Sequence, residues 1–259
     1  MTLEYTILYI TVFLFGIVIG SFLNVCILRI PEKESIVVES SHCMSCGHQL
    51  AWYDLFPLFS WLFLRGKCRY CGARISTQYP VVEFANGALY IITFAVNGWN
   101  GSSALYCIMF SALLVIGVID YRTMLIPTAV DVVILCVGAV HIVFDLNNWL
   151  YYVTGFVSAG LFLLLCAFLF RAVTGKGGLG LGDVELMACA GLCIGWGHAL
   201  FAIVIGSVTG CIVELIKIAI TKKKGKFPFG PYLALGIFVA TLWGTRIYEW
   251  YFHTIMLVE

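Results

Sequence analysis

The sequence predicts an all-α polytopic membrane protein of about eight transmembrane helices, with a small cytoplasmic zinc-binding loop domain after the first. Three observations carry that expectation. Of 259 residues, 61% are hydrophobic and 11% charged, with a mean hydropathy of +0.99, whereas a soluble domain carries about 25% charged residues. The apolar residues come in runs close to the ~20 residues that a helix needs to cross a bilayer. Finally, 14 of the 15 Lys and Arg residues fall in one alternating set of loops, the bias that marks the cytoplasmic side. A net charge of +1 gives no reason to expect a nucleic-acid partner.

In chain order the candidate spans are 5–28, 80–97, 103–120, 125–144, 149–171, 184–196, 197–220 and 229–251. Met1-Thr2-Leu3-Glu4 has no basic n-region, and the apolar run from Tyr5 to Leu28 is too long for a cleaved signal. It is expected to be a retained helix. The break near Gly195-Trp196-Gly197-His198 is soft, so seven spans is the alternative. With eight, both termini lie outside and Arg246 is the one basic residue there. Residues 30–79, the turn after Asp120 and the stretch 178–183 then face the cytoplasm. The chain divides into a first transmembrane helix (1–29), a tetra-cysteine loop domain (30–79) and a transmembrane core (80–259).

The loop domain carries Cys43-Met-Ser-Cys46-Gly47 and Cys68-Arg-Tyr-Cys71-Gly72, two Cys-x-x-Cys knuckles with 21 residues between them. Structural zinc takes four ligands in a tetrahedron, commonly two such thiolate pairs. The glycine after each second cysteine suits the tight turn that aims backbone amides at sulfur. Disulfides are the competing reading, but the charge bias places this loop in a reducing compartment. His42 and His48 lie nearby, but four cysteines already close the shell. Cys26, Cys107, Cys136, Cys166, Cys189, Cys193 and Cys211 sit in apolar helices and read as small hydrophobes. Between the knuckles, the ten residues 55–64 are too short to span a bilayer but suited to lie on it, with Trp52 and Trp61 as anchors.

Two acids stand at helix ends on the cytoplasmic level. Asp120 closes the third span ahead of Tyr121-Arg122, and Pro127 can open the fourth helix in its first turn. Asp183 follows Gly178, Gly180 and Gly182, which alternate with leucine. A bland account exists for each: an ion pair with Arg122, and a cap for the helix starting at Val184. Carboxylates in apolar surroundings are nevertheless costly to ionise. Two of them within hydrogen-bonding distance share a proton, so that one activates water while the other protonates a carbonyl or a leaving amine. The glycines would let an extended peptide lie close to the backbone. Asp131, Glu214 and Glu83 lie inside helices and are weaker catalytic candidates.

These residues make the chain resemble the type IV prepilin peptidases almost end to end. The shared features begin with Gly20-Ser-Phe-Leu-Asn-Val25, Arg29-Ile-Pro31, both cysteine pairs, Ser60-Trp61-Leu62 and Leu64-Arg-Gly-Lys-Cys68. They continue with Tyr79-Pro80-x-x-Glu83, Asp120 followed by Ile126-Pro127, Gly180-Leu-Gly-Asp183 and Pro228-Phe-Gly-Pro231. The resemblance implies a bacterial cytoplasmic-membrane aspartic endopeptidase. Its substrates would be prepilins or pseudopilins, cut of their basic leader after a glycine at the cytoplasmic membrane face. Asp120 and Asp183 correspond to its catalytic acids; Gly180, Gly182 and Glu83 are the candidate substrate contacts of this chain. Members with the tetra-cysteine loop generally also N-methylate the new N-terminus from S-adenosylmethionine, although no residues here locate a donor site. The chain departs from the pattern at Glu185, where Lys is expected, and at Thr128, where Asn or Asp is frequent.

Two other classes compete. Intramembrane Gly-x-Gly-Asp proteases of the presenilin kind usually show Tyr-Asp in the first catalytic helix, whereas Ile119 precedes Asp120 here. An ion- or proton-coupled transporter would place acids near mid-membrane, often with an internal repeat, and the sequence shows neither.

Overall fold

The computed structural model describes residues 3–37, 41–175, 178–222, 225, 227–251 and 253–254. Lys176, Lys223, Lys224 and Lys226, which count toward the charge bias, lie outside them. The helices are α1 (Leu3–Glu32), α2 (Phe59–Phe63), α3 (Gln78–Asn97), α4 (Gly101–Thr123), α5 (Thr128–Phe144), α6 (Trp149–Thr174), α7 (Leu181–Thr221) and α8 (Gly230–Tyr251). Among the described residues there is no strand, only the isolated bridges His42–Gln49 and Lys67–Arg74. Five helical stretches are long and apolar enough to cross a membrane: Leu3–Glu32, Gln78–Asn97, Gly101–Thr123, Leu146–Thr174 and Leu181–Thr221. The apolar α5 is shorter, at 17 residues. Large apolar side chains such as Phe162, Leu165, Phe168 and Leu169 on α6 remain exposed, as a lipid-facing helix requires. The chain is a multi-pass, all-helical membrane protein.

Its contacts divide it into two units, Met1–Ser103 and Ala104–Glu259. In the first, α1 packs on α3 through small residues: a Cβ on Gly16 would come within 2.7 Å of Gly87 Cα. Polar side chains seal the same seam, with Asn86 Nδ2 donating to the Gly16 carbonyl at 2.8 Å and Asn24 Nδ2 to that of Tyr79 at 3.1 Å. Small residues with interhelical hydrogen bonds are how helices associate where burial of apolar surface gives no driving force.

In the second unit, α7 is the organising element. At ~1.5 Å per residue, its 41 residues would extend about 60 Å, twice the thickness of a bilayer core. It does not run straight. Gly195 takes φ 78° and ψ 167°, a conformation closed to other residues. The arms on either side of it pack on different helices. On the first arm, Gly160 approaches Ala188 and Gly155 approaches Gly191 and Gly195, so α6 runs antiparallel to it. On the second, Gly244 approaches His198, Gly236 approaches Ala202 and Tyr232 approaches Gly210, so α8 runs antiparallel to that arm. The soft break near Gly195 is thus a kink between two helical arms.

The α6–α7 crossing brings backbone directly against backbone. A Cβ on Gly155 would collide with the carbonyl oxygen of Gly191, and one on Gly191 with that of Gly155. Backbone cannot yield as a side-chain tip can. Gly155→Ala is expected to lower stability by about 1–3 kcal/mol, read as a drop in thermal midpoint in detergent. Gly98→Ala would misreport as a control because its φ is 78°; Gly101→Ala, with nothing within 4 Å, serves instead.

Candidate active site and cysteine module

The two acids singled out by sequence both lie in the second unit. Asp120 occupies the last turn of α4, and Asp183 the first turn of α7. Both are buried. The Gly230 amide, at the start of α8, donates to Asp120 Oδ2 at 2.8 Å. The Gly180 amide donates to Asp183 Oδ2 at 3.2 Å. Helix α7 begins at Leu181, earlier than Val184, so Asp183 caps it from within its first turn rather than ahead of it. Each carboxylate is therefore aimed by an amide at a helix N-terminus, where the partial positive charge favours an anion. The two acids stand close enough to couple electrostatically. Neither has a basic partner among the described residues, where the ion pairs are Arg69–Asp54 and Lys217–Glu214. The ion pair weighed for Asp120 with Arg122 is not formed.

The glycines around them have packing roles. A Cβ on Gly182 would fall 2.9 Å from that of Ile126, and one on Gly180 would fall 3.1 Å from Asp183 Oδ2. Pro127 stands at the N-cap of α5, one place ahead of the first-turn position. Gly230 escaped the sequence reading as a participant. Its signal was the Gly-Pro pair at the start of a helix, Gly230-Pro231, since proline is pre-organised for a helix's first turn.

Glu83 lies in the first unit, buried on α3, where its Oε2 accepts the Leu58 amide at 2.8 Å. That bond ties the segment between the cysteine knuckles to a membrane helix. The segment folds as a 3-10 turn, Trp52–Leu55, then α2, and it leaves Trp52, Leu62 and Phe63 exposed. An aromatic groove of about 410 Å³ runs along it, lined by Trp52, Tyr53, Phe56, Phe59, Phe63 and Arg69.

Each knuckle closes as its spacing suggested. Cys43 N–H bonds the His48 carbonyl at 2.9 Å and Gly47 N–H returns to the Cys43 carbonyl at 2.8 Å. The second knuckle repeats this, with Cys68 to Ala73 at 2.8 Å and Gly72 to Cys68 at 2.9 Å. Gly47 and Gly72 take φ of 70° and 71°. The four sulfurs of Cys43, Cys46, Cys68 and Cys71 all lie within 4.8 Å of one another. Cys43 and Cys71 are 3.9 Å apart, against the ~3.8 Å between sulfurs of a tetrahedron with Zn–S near 2.3 Å.

The charges fit the same reading. The amides of Cys46 and Ser45 point at Cys43 and bring its thiol down to about 6. At Cys71 the Ala73 amide pulls the same way, but desolvation and the three neighbouring thiols push it up to about 11. Four crowded thiols cannot all ionise unaided, whereas a divalent cation at their centre favours the thiolates. The donor set and spacing fit zinc.

Two buried, amide-held acids and a four-thiol module are thus set in a multi-pass membrane protein. Two family models cover most of the chain: the bacterial peptidase A24 N-terminal domain matches residues 14–96, and the type IV leader peptidase family matches residues 107–215. The chain belongs to the type IV leader peptidase family. Among curated proteins it is similar to the prepilin leader peptidase/N-methyltransferase of Aeromonas salmonicida (strain A449), 32% identical over 95% of this chain and 94% of the relative. It is 34% identical to the protein of that name from Aeromonas hydrophila, over 93% of this chain and 92% of the relative. For the Xanthomonas campestris pv. campestris protein the figures are 35%, 91% and 91%. No solved structure gives a significant match.

Proposed function

We propose that this chain is a membrane-embedded aspartic endopeptidase that removes the basic leader of prepilin-like proteins, cutting after a glycine at the cytoplasmic membrane face. Asp120 and Asp183 are its catalytic acids. What supports this reading is their placement: two buried, electrostatically coupled carboxylates on α4 and α7 without basic partners, in a chain of the leader peptidase family. A prepilin is a single membrane helix preceded by a basic leader, so its scissile bond lies where these helix ends lie.

The pair holds one proton between two carboxyl groups. The ionised member takes a proton from water as that water attacks the scissile carbonyl. The protonated member donates its proton to the carbonyl oxygen. As the gem-diol collapses, the member that took water's proton passes it to the leaving amine, and a gem-diol hydroxyl returns a proton to the other. The two titrate as a unit, so neither is assigned base or acid alone. Amides from Gly230 and Gly180 hold one oxygen of each, leaving the other to water and substrate. Gly180 and Gly182 keep the approach to Asp183 free of side chains, as an extended peptide requires. Glu83 serves the substrate indirectly, by holding the Leu58 segment in place.

Eight spans follow if the two arms of α7 count separately, together with α1, α3, α4, α5, α6 and α8. Both termini are then outside and residues 30–79 cytoplasmic, in a bacterial cytoplasmic membrane. The four cysteines hold a structural zinc ion, which ties the two knuckles into one module. The relatives are also named N-methyltransferases; we extend that activity to this chain as N-methylation of the new N-terminus, with S-adenosylmethionine as donor.

The test is cleavage of a prepilin with a glycine-ended leader, in detergent or membranes, followed by mass spectrometry of the new N-terminus. A single cut after the glycine is expected. No cut, or cuts elsewhere, would overturn the reading. Metal analysis is expected to find about one zinc per chain, lost in a Cys43→Ser, Cys71→Ser double variant. Treating the wild type with a chelator is expected to lower the melting point of the module while peptide-bond cleavage continues. Complete loss of cleavage on chelation would mean that the metal takes part in the chemistry.

A further inference from the structure

Asp131, a weaker candidate by sequence, is an unexplained feature of the second unit. It lies in the first turn of α5 and is 2% exposed, and neither carboxylate oxygen has a hydrogen-bond partner. An acid in a helix's first turn ordinarily caps the free amides there. This one does not, since the Val130 and Asp131 amides both turn to the Pro127 carbonyl. A buried carboxylate left so is unfavourable unless a cation meets it. The charges it feels most strongly are those of Glu185 and then Asp183, both acids on the first turns of α7. Glu185 is exposed, and its Oε2 takes the Thr128 hydroxyl at 3.4 Å, across from α7 to α5. Thr128 and Glu185 are the two positions at which the sequence departs from the family pattern, and they touch. A lysine at 185 would supply a cation from within the chain. Glutamate adds a further negative charge, and no basic residue among those described pairs with it or with Asp131.

We propose that Asp131 and Glu185, with Thr128 holding Glu185, form a subsite for the ammonium or guanidinium of a substrate residue in the leader, next to Asp183. Asp131 is its floor and Glu185 its mouth. A long basic side chain suits this arrangement better than a bare metal ion. Among the described residues only the four cysteines bring three or more ligand atoms together. The proposal rests on the leader-peptidase reading above and deepens it, by naming the residues that meet a basic side chain of the leader.

The test compares two prepilins that differ only in the leader, one with its Lys and Arg residues intact and one with all of them changed to Gln. The readout is the ratio of their kcat/KM values. Wild type is expected to favour the basic leader by about tenfold, the size of one charge-assisted hydrogen bond. In Asp131→Asn and Glu185→Gln the ratio is expected to fall toward one. Glu185→Lys is expected to reverse it when the second leader carries Glu in place of Gln. Glu185 is exposed, so its variants keep the test alive if Asp131→Asn fails to fold. A ratio unchanged from wild type in both Glu185 variants would overturn the subsite. Wild type that cuts neither prepilin would overturn the peptidase reading itself.

Discussion

Asp120→Asn and Asp183→Asn are each expected to abolish leader cleavage, lowering kcat by at least about a thousandfold while the protein stays folded. Proton transfer by a positioned side chain contributes about 10²–10⁴ in rate, and a carboxyl pair does this twice in one cycle. An amide neither takes a proton from water nor returns one to the leaving amine. Structure should survive the change, because the Asn side-chain oxygen can still accept the Gly230 or Gly180 amide that Asp Oδ2 accepts now. Removing a buried charge that has no basic partner also relieves a desolvation cost. The melting point in detergent is therefore expected to hold or rise as activity disappears. That opposite movement separates a catalytic role from a structural one. Cleavage at the wild-type rate by either variant would break the assignment of the pair.

Much of this site was legible because water and lipid impose strict terms on a sequence. An acid inside an apolar run is expensive, so Asp120 and Asp183 stand out without any knowledge of their partners. The knuckles were legible for a local reason: the turn after each second cysteine needs a positive φ, and Gly47 and Gly72 supply it. What could not be read depends on contacts far apart in the chain. Gly230 reaches Asp120 across 110 positions, and nothing near either residue records the pairing. Glu83 meets the Leu58 amide only because Leu58 itself takes a φ of 62°, rare for a leucine. Asp131 ranked low because a missing partner leaves no trace in sequence. The kink at Gly195 was half legible. Composition marked a soft break, but the packing of the second arm emerges only from its register with α8.

Gly230→Ala is expected to lower kcat on the order of a hundredfold, the cost of displacing a reacting group by about 1 Å. The substitution keeps the amide donor, so its effect is purely one of position. A Cβ at residue 230 would lie 2.8 Å from Asp120 Oδ2 and 3.1 Å from its Cγ. Contact that close requires the carboxyl to swing away, and the 2.8 Å bond that now aims it lengthens as it does. KM is expected to change little, since the added methyl meets the enzyme's own acid. Gly117→Ala is the matched control. It lies one turn before Asp120 on α4, and its Cβ would meet only Pro231 Cα, at an ordinary 3.7 Å. Its rate and melting point are expected to stay near wild type. If Gly230→Ala cleaves as fast as Gly117→Ala, the start of α8 does not aim Asp120, and the acid must be oriented by substrate or water instead. If it is slow, with an unchanged melting point, residues 228–231 belong to the catalytic apparatus through the backbone they supply.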